Sequence, residues 1–468
     1  MRSKKVFFYQ LVTALLLLIC SFTTFAATTN DNSPRFLAIA DIHFDPFTAC
    51  GNQKPCQLIE DLRAAPTEQW EAILTQQVKD QPKYFEDSNF LLLKSSLDEL
   101  KNIAKTKQPK FVLVLGDMLA HHFRQLYTEY SSDTSQQSYQ EFVKKTLTFL
   151  KSQTAQAFPS IDVFSAVGNN DSYEDDYVSE PNGSFYQDTG NTWSDLIHTR
   201  NTRAAMQQQF PTGGYYAVNI PSDQRLRLIV MNTVLFSDHI TDNNILDAAN
   251  EELTWLHEQL QQAAYSGQKV IIAMHIPPGV DIYSSLKKNP FSVVELWHPE
   301  FTQRFNDEMN QYSTYVVGIF SGHFHMDLFQ VYHYQHNIPL NGTPSISPVF
   351  GNNPGFKLFS YDENSLEMKN YQTYYLPLSM LSAINTQSAW TEEYDFDKTY
   401  QPTCSSCTLL DGVRTLRLTG RSAKNYKQYF NLQSPNAQPI AQFWSPYYWC
   451  ETQSMTSAEY QACLVSTH

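Results

Sequence analysis

Charge is scarce in this chain. Of its 468 residues only 17% are charged, and 47 acidic residues outnumber 33 basic ones, for a formal net charge of −14. It contains no Lys/Arg-rich block, so a role in packaging nucleic acid is excluded, although a local basic site is not. It also has no internal repeat, low-complexity linker or heptad run, which argues against a solenoid or a coiled coil. No apolar run reaches the ~20 residues of a membrane-spanning helix. Disorder is equally disfavoured, because 42% of the residues are hydrophobic and can build a large core.

The start of the chain has the pattern of an export signal. Arg2, Lys4 and Lys5 form a positive beginning, Leu11 to Ile19 a short apolar stretch, and Thr24-Phe25-Ala26 a cleavage site. Residues 1–26 are therefore expected to be a signal peptide, leaving a secreted or periplasmic protein with no transmembrane anchor. Ile19 is too bulky before Cys20 for a lipoprotein signal. Seven cysteines then become six: Cys50, Cys56, Cys404, Cys407, Cys450 and Cys463. An even set in an exported chain suggests disulfides, and the local pairs 50–56, 404–407 and 450–463 are the simplest of 15 arrangements. Cys404-x-x-Cys407 could also be a redox or zinc motif, but no second such motif accompanies it.

Apolar, β-rich runs alternate with amphipathic helical stretches, and each run ends in polar residues. Phe36 to Ala40 ends at Asp41, Phe111 to Leu115 at Gly116-Asp117, and Ile161 to Val167 at Gly168-Asn169. Val270 to Met274 ends at His275, and Tyr315 to Phe320 at Gly322-His323. This alternation predicts an α/β core, in which ligands gather at the carboxyl ends of strands. From about residue 380 aliphatic strand patterns fade and four of the six remaining cysteines appear. The expected organisation is a catalytic domain over 27–380 and a helical, disulfide-pinned appendage over 381–468.

Any one of these polar clusters is weak evidence, since a lone Asp after a strand is usually a helix cap and a lone His usually core. Together Asp41, His43, Asp117, Asn169, His275, His323 and His325 supply carboxylate, amide and imidazole donors suited to two divalent first-row metals. Two cations ~3.5–4 Å apart need an anionic bridge, which one Asp such as Asp117 can provide. The set contains no cysteine, which disfavours a closed structural zinc site.

The order D-x-H, G-D, G-N, H, G-H-x-H resembles the calcineurin-like metallophosphoesterase superfamily, over about residues 36 to 375. Within it the chain looks most like the acid sphingomyelinase and sphingomyelinase-like phosphodiesterase branch, on Ala40-Asp-Ile-His-Phe-Asp45, the close pair Cys50 and Cys56, and Gly342-Thr-Pro-Ser-Ile-Ser-Pro348 leading to Asn353-Pro-Gly-Phe356. The resemblance implies an α/β β-sandwich flanked by helices, with Asp41, His43, Asp117 and His325 on one metal and Asp117, Asn169, His275 and His323 on the other. Zinc is that branch's usual ion. Two metals lower the pKa of a bridging water from 15.7 toward ~7, so that hydroxide can attack a phosphate ester.

His121, four residues after Asp117, matches the histidine that protonates the leaving group in that family. Asn170 departs from the family's Gly-Asn-His, and an amide cannot deliver a proton. That difference keeps a second reading open, an exported polyphosphatase or nucleotide phosphohydrolase acting on phosphoanhydrides. A third reading is a binding protein on an esterase scaffold. Tyr173 to Tyr177 could line the entrance but read better as a solvated acidic loop, and Trp297-His298 reads equally as core or contact. Phe350 and Phe356 could stack on a base or face choline, and Asn182 and Asn341 satisfy the glycosylation pattern.

Overall fold

The computed structural model describes residues 33–288, 293–380, 389–401, 407–414, 416–417, 419–436, 440 and 445–467. The expected signal peptide and Cys404 lie outside them. Residues from Pro34 onward form one compact unit.

Twelve strands among the described residues form two six-stranded sheets. The first contains β1 (Arg35–Ile39), β2 (Phe111–Leu115) and β3 (Asp162–Ala166). The second contains β4 (Tyr216–Ile220), β5 (Asp223–Val230), β6 (Lys269–Ala273), β7 (Val316–Ser321), β8 (Leu328–Tyr332) and β9 (Ile338–Gly342). β10 (Gly355–Tyr361), β11 (Met368–Tyr375) and β12 (Thr391–Asp395) return to the first. The orders are β12-β11-β10-β1-β2-β3 and β4-β5-β6-β7-β9-β8. β1, β2 and β3 run parallel, as do β5, β6, β7 and β9, while β4, β8, β10, β11 and β12 pair antiparallel.

Side chains explain why the sheets face each other. In β5 and β6, Leu228, Val230, Ile271 and Ala273 enter one core, whereas Ile229, Val270 and Ile272 on the opposite face enter another. This is the period-two alternation of a sheet covered on both sides. The first core lies between the sheets, where Phe320 of β7 meets Phe36 of β1 edge-on at 5.1 Å and Phe359 of β10 at 4.8 Å. Truncating Phe36, fully buried there, would cost roughly 3–5 kcal/mol. The second core is closed by helices Asn243–Tyr265 and Pro299–Tyr312, through Leu253, Leu256, Leu260, Phe301 and Phe305. Flanking the first sheet, helix Phe90–Lys107 starts at Asn89, whose side chain accepts from the Leu92 N–H at 3.0 Å. The result is a mixed α/β sandwich flanked by helices.

Beyond residue 381 the described residues are mostly helical, with helices Leu409–Arg414, Arg421–Tyr429, Ser445–Glu451 and Ser457–Thr467. They also supply β12, which extends the first sheet beside β11. Disulfides join Cys50 to Cys56 and Cys450 to Cys463. Asn341, a glycosylation match, is buried in β9 and cannot be modified in the folded chain, whereas Asn182 is exposed.

Candidate dimetal site

Parallel neighbours in both sheets bring their carboxyl ends to one place. β1, β2 and β3 deliver Asp41, Asp117 and Asn169, and β6 and β7 deliver His275 and His323. Past the strands the ladder continues through loops: Asp41 N–H donates to Gly116 O at 3.1 Å and His43 N–H to Asp117 O at 2.9 Å. The sheets are then stitched together. His323 N–H donates to both Asp41 oxygens at 3.1 Å, and His275 Nδ1 bonds Leu115 O at 2.7 Å.

The backbone is strained where the donors sit. Asp41, His43, Asp117, His323 and His325 all have positive φ, between 42° and 73°. Such conformations are uncommon for residues with a Cβ and concentrate at functional sites. Two glycines let the loops close. A Cβ on Gly116 would lie 2.7 Å from His275 Nδ1, and one on Gly168 only 2.1 Å from Asp117 N. The G-D and G-N motifs therefore need their glycines for close approach.

All seven donor residues expected from the sequence converge. Asp117 Oδ2 stands between two imidazoles, 3.4 Å from His43 Nε2 and 3.3 Å from His275 Nε2. On one side Asp41 Oδ1 is 3.4 Å from His325 Nε2, which is 3.2 Å from His43 Nε2. On the other, Asn169 Oδ1 is 2.9 Å from His275 Nε2 and 3.1 Å from His323 Nδ1. His43 Nδ1 bonds Leu119 O at 2.9 Å, so this ring, like that of His275, turns Nε2 inward. Bonds of this kind orient metal-binding histidines.

This donor set fits cations. Burial, with neighbouring imidazoles, pushes His43 down to about 4 and His323 to about 3, and holds His325 well below the ordinary value. Their rings are therefore neutral and carry lone pairs. Burial, reinforced by Asp117, raises Asp41 to about 8. Burial opposes ionisation of both Asp117 and His275, but their mutual attraction wins: Asp117 stays ionised and His275 rises to about 9. Neutral His43 and His325 present nitrogen to nitrogen, and the buried Nδ1 of His325 has no partner among the described residues. With the His43 Nδ1–H on Leu119 O, the two Nε2 atoms can share only one proton, and a cation between them would use both lone pairs.

His121 lies on the rim. Its ring stacks on His43 at 4.0 Å, and its Nδ1 is 3.1 Å from Asp87 Oδ1. Asp87 Oδ2 also accepts the His121 backbone N–H at 2.8 Å, and Ser347 Oγ donates to Oδ1 at 2.9 Å. Asn170 points inward instead of toward the entrance. Its N–H donates to Asp117 Oδ1 and its Nδ2 to Asp117 Oδ2, both at 2.8 Å.

Sequence reasoning assigned no role to three supporting residues. Asp87 precedes helix Phe90–Lys107 by three positions, and no motif marks it. Asp171 accepts from Met118 and Leu119 N–H at 2.9 and 3.1 Å and from Gly168 N–H at 3.0 Å, tying the β2 and β3 loops together. Lys357, fully buried, pairs with Asp327 at 2.7 Å, two residues beyond His325. Asp175 and Asp176 are exposed, as the solvated reading expects, and Asp176 Oδ1 also accepts from Asn169 Nδ2 at 2.7 Å. Phe350, 47% exposed, meets His325 edge-on at 4.6 Å, but Phe356 is buried in β10 and stacks on Tyr374, so only Phe350 faces the cleft. Trp297 is core and bonds Ile276 O, and His298 Nε2 bonds Ile240 O.

The model of the calcineurin-like phosphoesterase family matches residues 34–327. The chain belongs to this family. The family is hydrolytic, and the seven donor residues are its candidate dimetal ligands here. A second model, the acid sphingomyelin phosphodiesterase C-terminal region, matches residues 341–467, crossing the junction expected near residue 380. The chain is 28% identical over 328 residues to a sphingomyelinase phosphodiesterase D of Dictyostelium discoideum, covering 68% of this chain and 67% of that protein. It is 26% identical over 384 residues to the acid sphingomyelinase-like phosphodiesterase 3b of Mus musculus, covering 78% and 76%. It is 25% identical over 391 residues to the cyclic GMP-AMP phosphodiesterase SMPDL3A of Rattus norvegicus, covering 81% and 82%. Among the described residues no helix is long and apolar enough to cross a membrane.

Proposed function

We propose that this protein is an exported two-metal phosphodiesterase of the acid sphingomyelinase-like type. The observation that carries this reading is the position of Asp117 Oδ2 between His43 Nε2 and His275 Nε2, with amide and imidazole donors completing a cluster on each side. Asp41, His43, Asp117 and His325 would hold one ion and Asp117, Asn169, His275 and His323 the other, with zinc suited to this nitrogen and oxygen set. Such ions supply Lewis acidity toward phosphoryl oxygens and lower the pKa of water.

The chain's own residues do the rest. Oxygen from water joins phosphorus as the bond to the leaving oxygen breaks, the proton that water loses passes to solvent, and His121 gives the leaving oxygen its proton. Burial would lower the His121 pKa, but the Asp87 carboxylate raises it above the ordinary value and so favours the protonated imidazole. Asp87 itself stays ionised because His121 and His43 outweigh its burial. Asn170 gives Asp117 its backbone N–H and one Nδ2 hydrogen, so its part is to hold the bridging carboxylate, and an amide cannot protonate substrate.

Export is supported by the leader pattern and the two disulfides, which persist outside reducing compartments. The test is product release by zinc-supplemented protein from sphingomyelin in detergent, a cyclic dinucleotide, ATP and polyphosphate, at pH 5 and pH 7. Turnover of either diester supports the reading. Turnover of ATP and polyphosphate alone replaces it with the phosphoanhydride reading.

A further inference from the structure

Apart from the donor cluster, an apolar cleft lies over the edge strand β8. Helices Arg421–Tyr429 and Ser445–Glu451 form its two walls, and the residue after each is bonded to this edge. Just before β8, Asp327 N–H donates to Phe430 O at 2.8 Å, and within it Val331 N–H donates to Thr452 O at 3.0 Å. Phe329 falls between these two ties and floors the cleft, with Ala423 and Tyr426 on one wall and Tyr448 and Trp449 on the other. Edge-on ring contacts hold the walls, Phe329 on Tyr426 and Phe430 on Tyr448, both at 5.3 Å. Counted with its open mouth the cleft measures about 400 Å³, but it is narrow, and its surface is almost wholly apolar.

Charge at the cleft is of one sign. Between Asp411 and Glu451 the sequence carries Arg414, Arg417, Arg421, Lys424 and Lys427 and no acidic residue, in a chain of net charge −14. Arg417 and Lys427 line the cleft itself. The Arg417 guanidinium meets only backbone carbonyls, of Arg414 at 2.8 Å and Leu416 at 2.6 Å, and neither cation makes an ion pair among the described residues. Small-molecule sites have this build, concave and mostly apolar with a few polar groups that fix the head of the ligand.

We propose that this cleft binds a single-chain anionic amphiphile of the fatty-acid class, with the alkyl chain laid over Phe329 and the head group held by Arg417 and Lys427. Charge complementarity selects the head, since guanidinium and ammonium groups donate charge-assisted hydrogen bonds to a carboxylate. The narrow apolar walls select the tail. A slim alkyl chain gains with every methylene it buries there, whereas a sugar or a phosphate chain would lose its water without finding partners. The site is separate from the dimetal cluster and does not depend on the reaction performed there.

Calorimetry on the full chain with dodecanoate and dodecyltrimethylammonium, both kept below micelle formation, tests the site. Wild-type protein should bind dodecanoate at one site per chain and in preference to the cation. The net charge of the whole protein favours the cation, so this preference reports the local basic pair. Arg417→Gln with Lys427→Gln should weaken dodecanoate binding about tenfold or more and erase the preference. Ala423→Phe fills the cleft and should abolish binding. Should that variant fail to fold, the two surface substitutions still decide. No saturable site in wild type, binding that survives Ala423→Phe in a folded protein, or a preference untouched by the charge substitutions would each overturn the proposal. So would flotation with phosphatidylglycerol vesicles in the absence of dodecanoate binding, which would make this face a membrane surface instead.

Discussion

Asp87 grips His121 twice, through the backbone N–H at 2.8 Å and through Nδ1 at 3.1 Å, across 34 residues of sequence. The carboxylate thus fixes both the position of the loop and the direction of the ring. Asp87→Asn keeps the shape but removes the charge that raises the His121 pKa. The alkaline limb of the kcat profile should then move to lower pH, since the imidazole loses its proton earlier. The loss should be greater for alkoxide leaving groups than for nitrophenolate. A profile that stays in place would show that Asp87 does not tune His121.

Asp117 is the joint between the two halves of the donor cluster. Asp117→Ala should bring metal content below two ions per chain and reduce turnover by at least about a thousandfold, several kcal/mol of transition-state stabilisation. Metal analysis beside a phosphodiester assay checks both. Full occupancy with normal turnover would remove the bridging role.

Lys357 and Asp327 are a fully buried ion pair that the sandwich closes over. Lys357 Nζ also donates to Gly342 O at 2.9 Å, and Asp327 accepts from Thr373 and Tyr394 hydroxyls at 2.7 and 3.0 Å. Lys357→Met strands a buried carboxylate and should cost roughly 3–5 kcal/mol in urea unfolding. Adding Asp327→Asn should recover a large part of that loss. If the double variant is as unstable as the sum of the singles, the pair is not coupled.

Glu252 carries a pH effect unrelated to the metals. Its Oε1 accepts the Asn232 N–H at 2.8 Å, its Oε2 has no partner among the described residues, and burial raises its pKa to about 8. The folded chain therefore holds a proton that the unfolded chain loses near the ordinary glutamate value of 4.5. With more protons bound in the folded state, stability falls as pH rises from about 4.5 to about 8. Glu252→Gln should flatten this contribution, so that the variant gains on wild type at the alkaline end. Parallel stability curves across that range would refute it.

Much of the molecule is legible in the chain because local physics writes it there. Parallel strands covered on both faces must be almost continuously apolar, which is why Phe111–Leu115 and Lys269–Ala273 stand out. The motifs at their ends are equally visible, since a turn that packs glycine against aspartate tolerates few alternatives. β11 is different. It is the tyrosine-rich run Met368–Tyr375, whose pattern is set by neighbours far away in sequence, and β12 lies in a segment otherwise read as helical. Only pairing decides that these strands complete the first sheet.

The site divides along the same line. Residue types and spacing along the chain were enough to name Asp41, His43, Asp117, Asn169, His275, His323 and His325, because each lies in the loop just past a strand's end. Tertiary structure alone determined their partners. Asp87 meets His121, Asn170 turns toward Asp117, Phe356 is taken into the core, and Tyr177 finds His239. Such contacts depend on which loops the two sheets press together, and side-chain direction at a strained loop has no periodicity from which to read it.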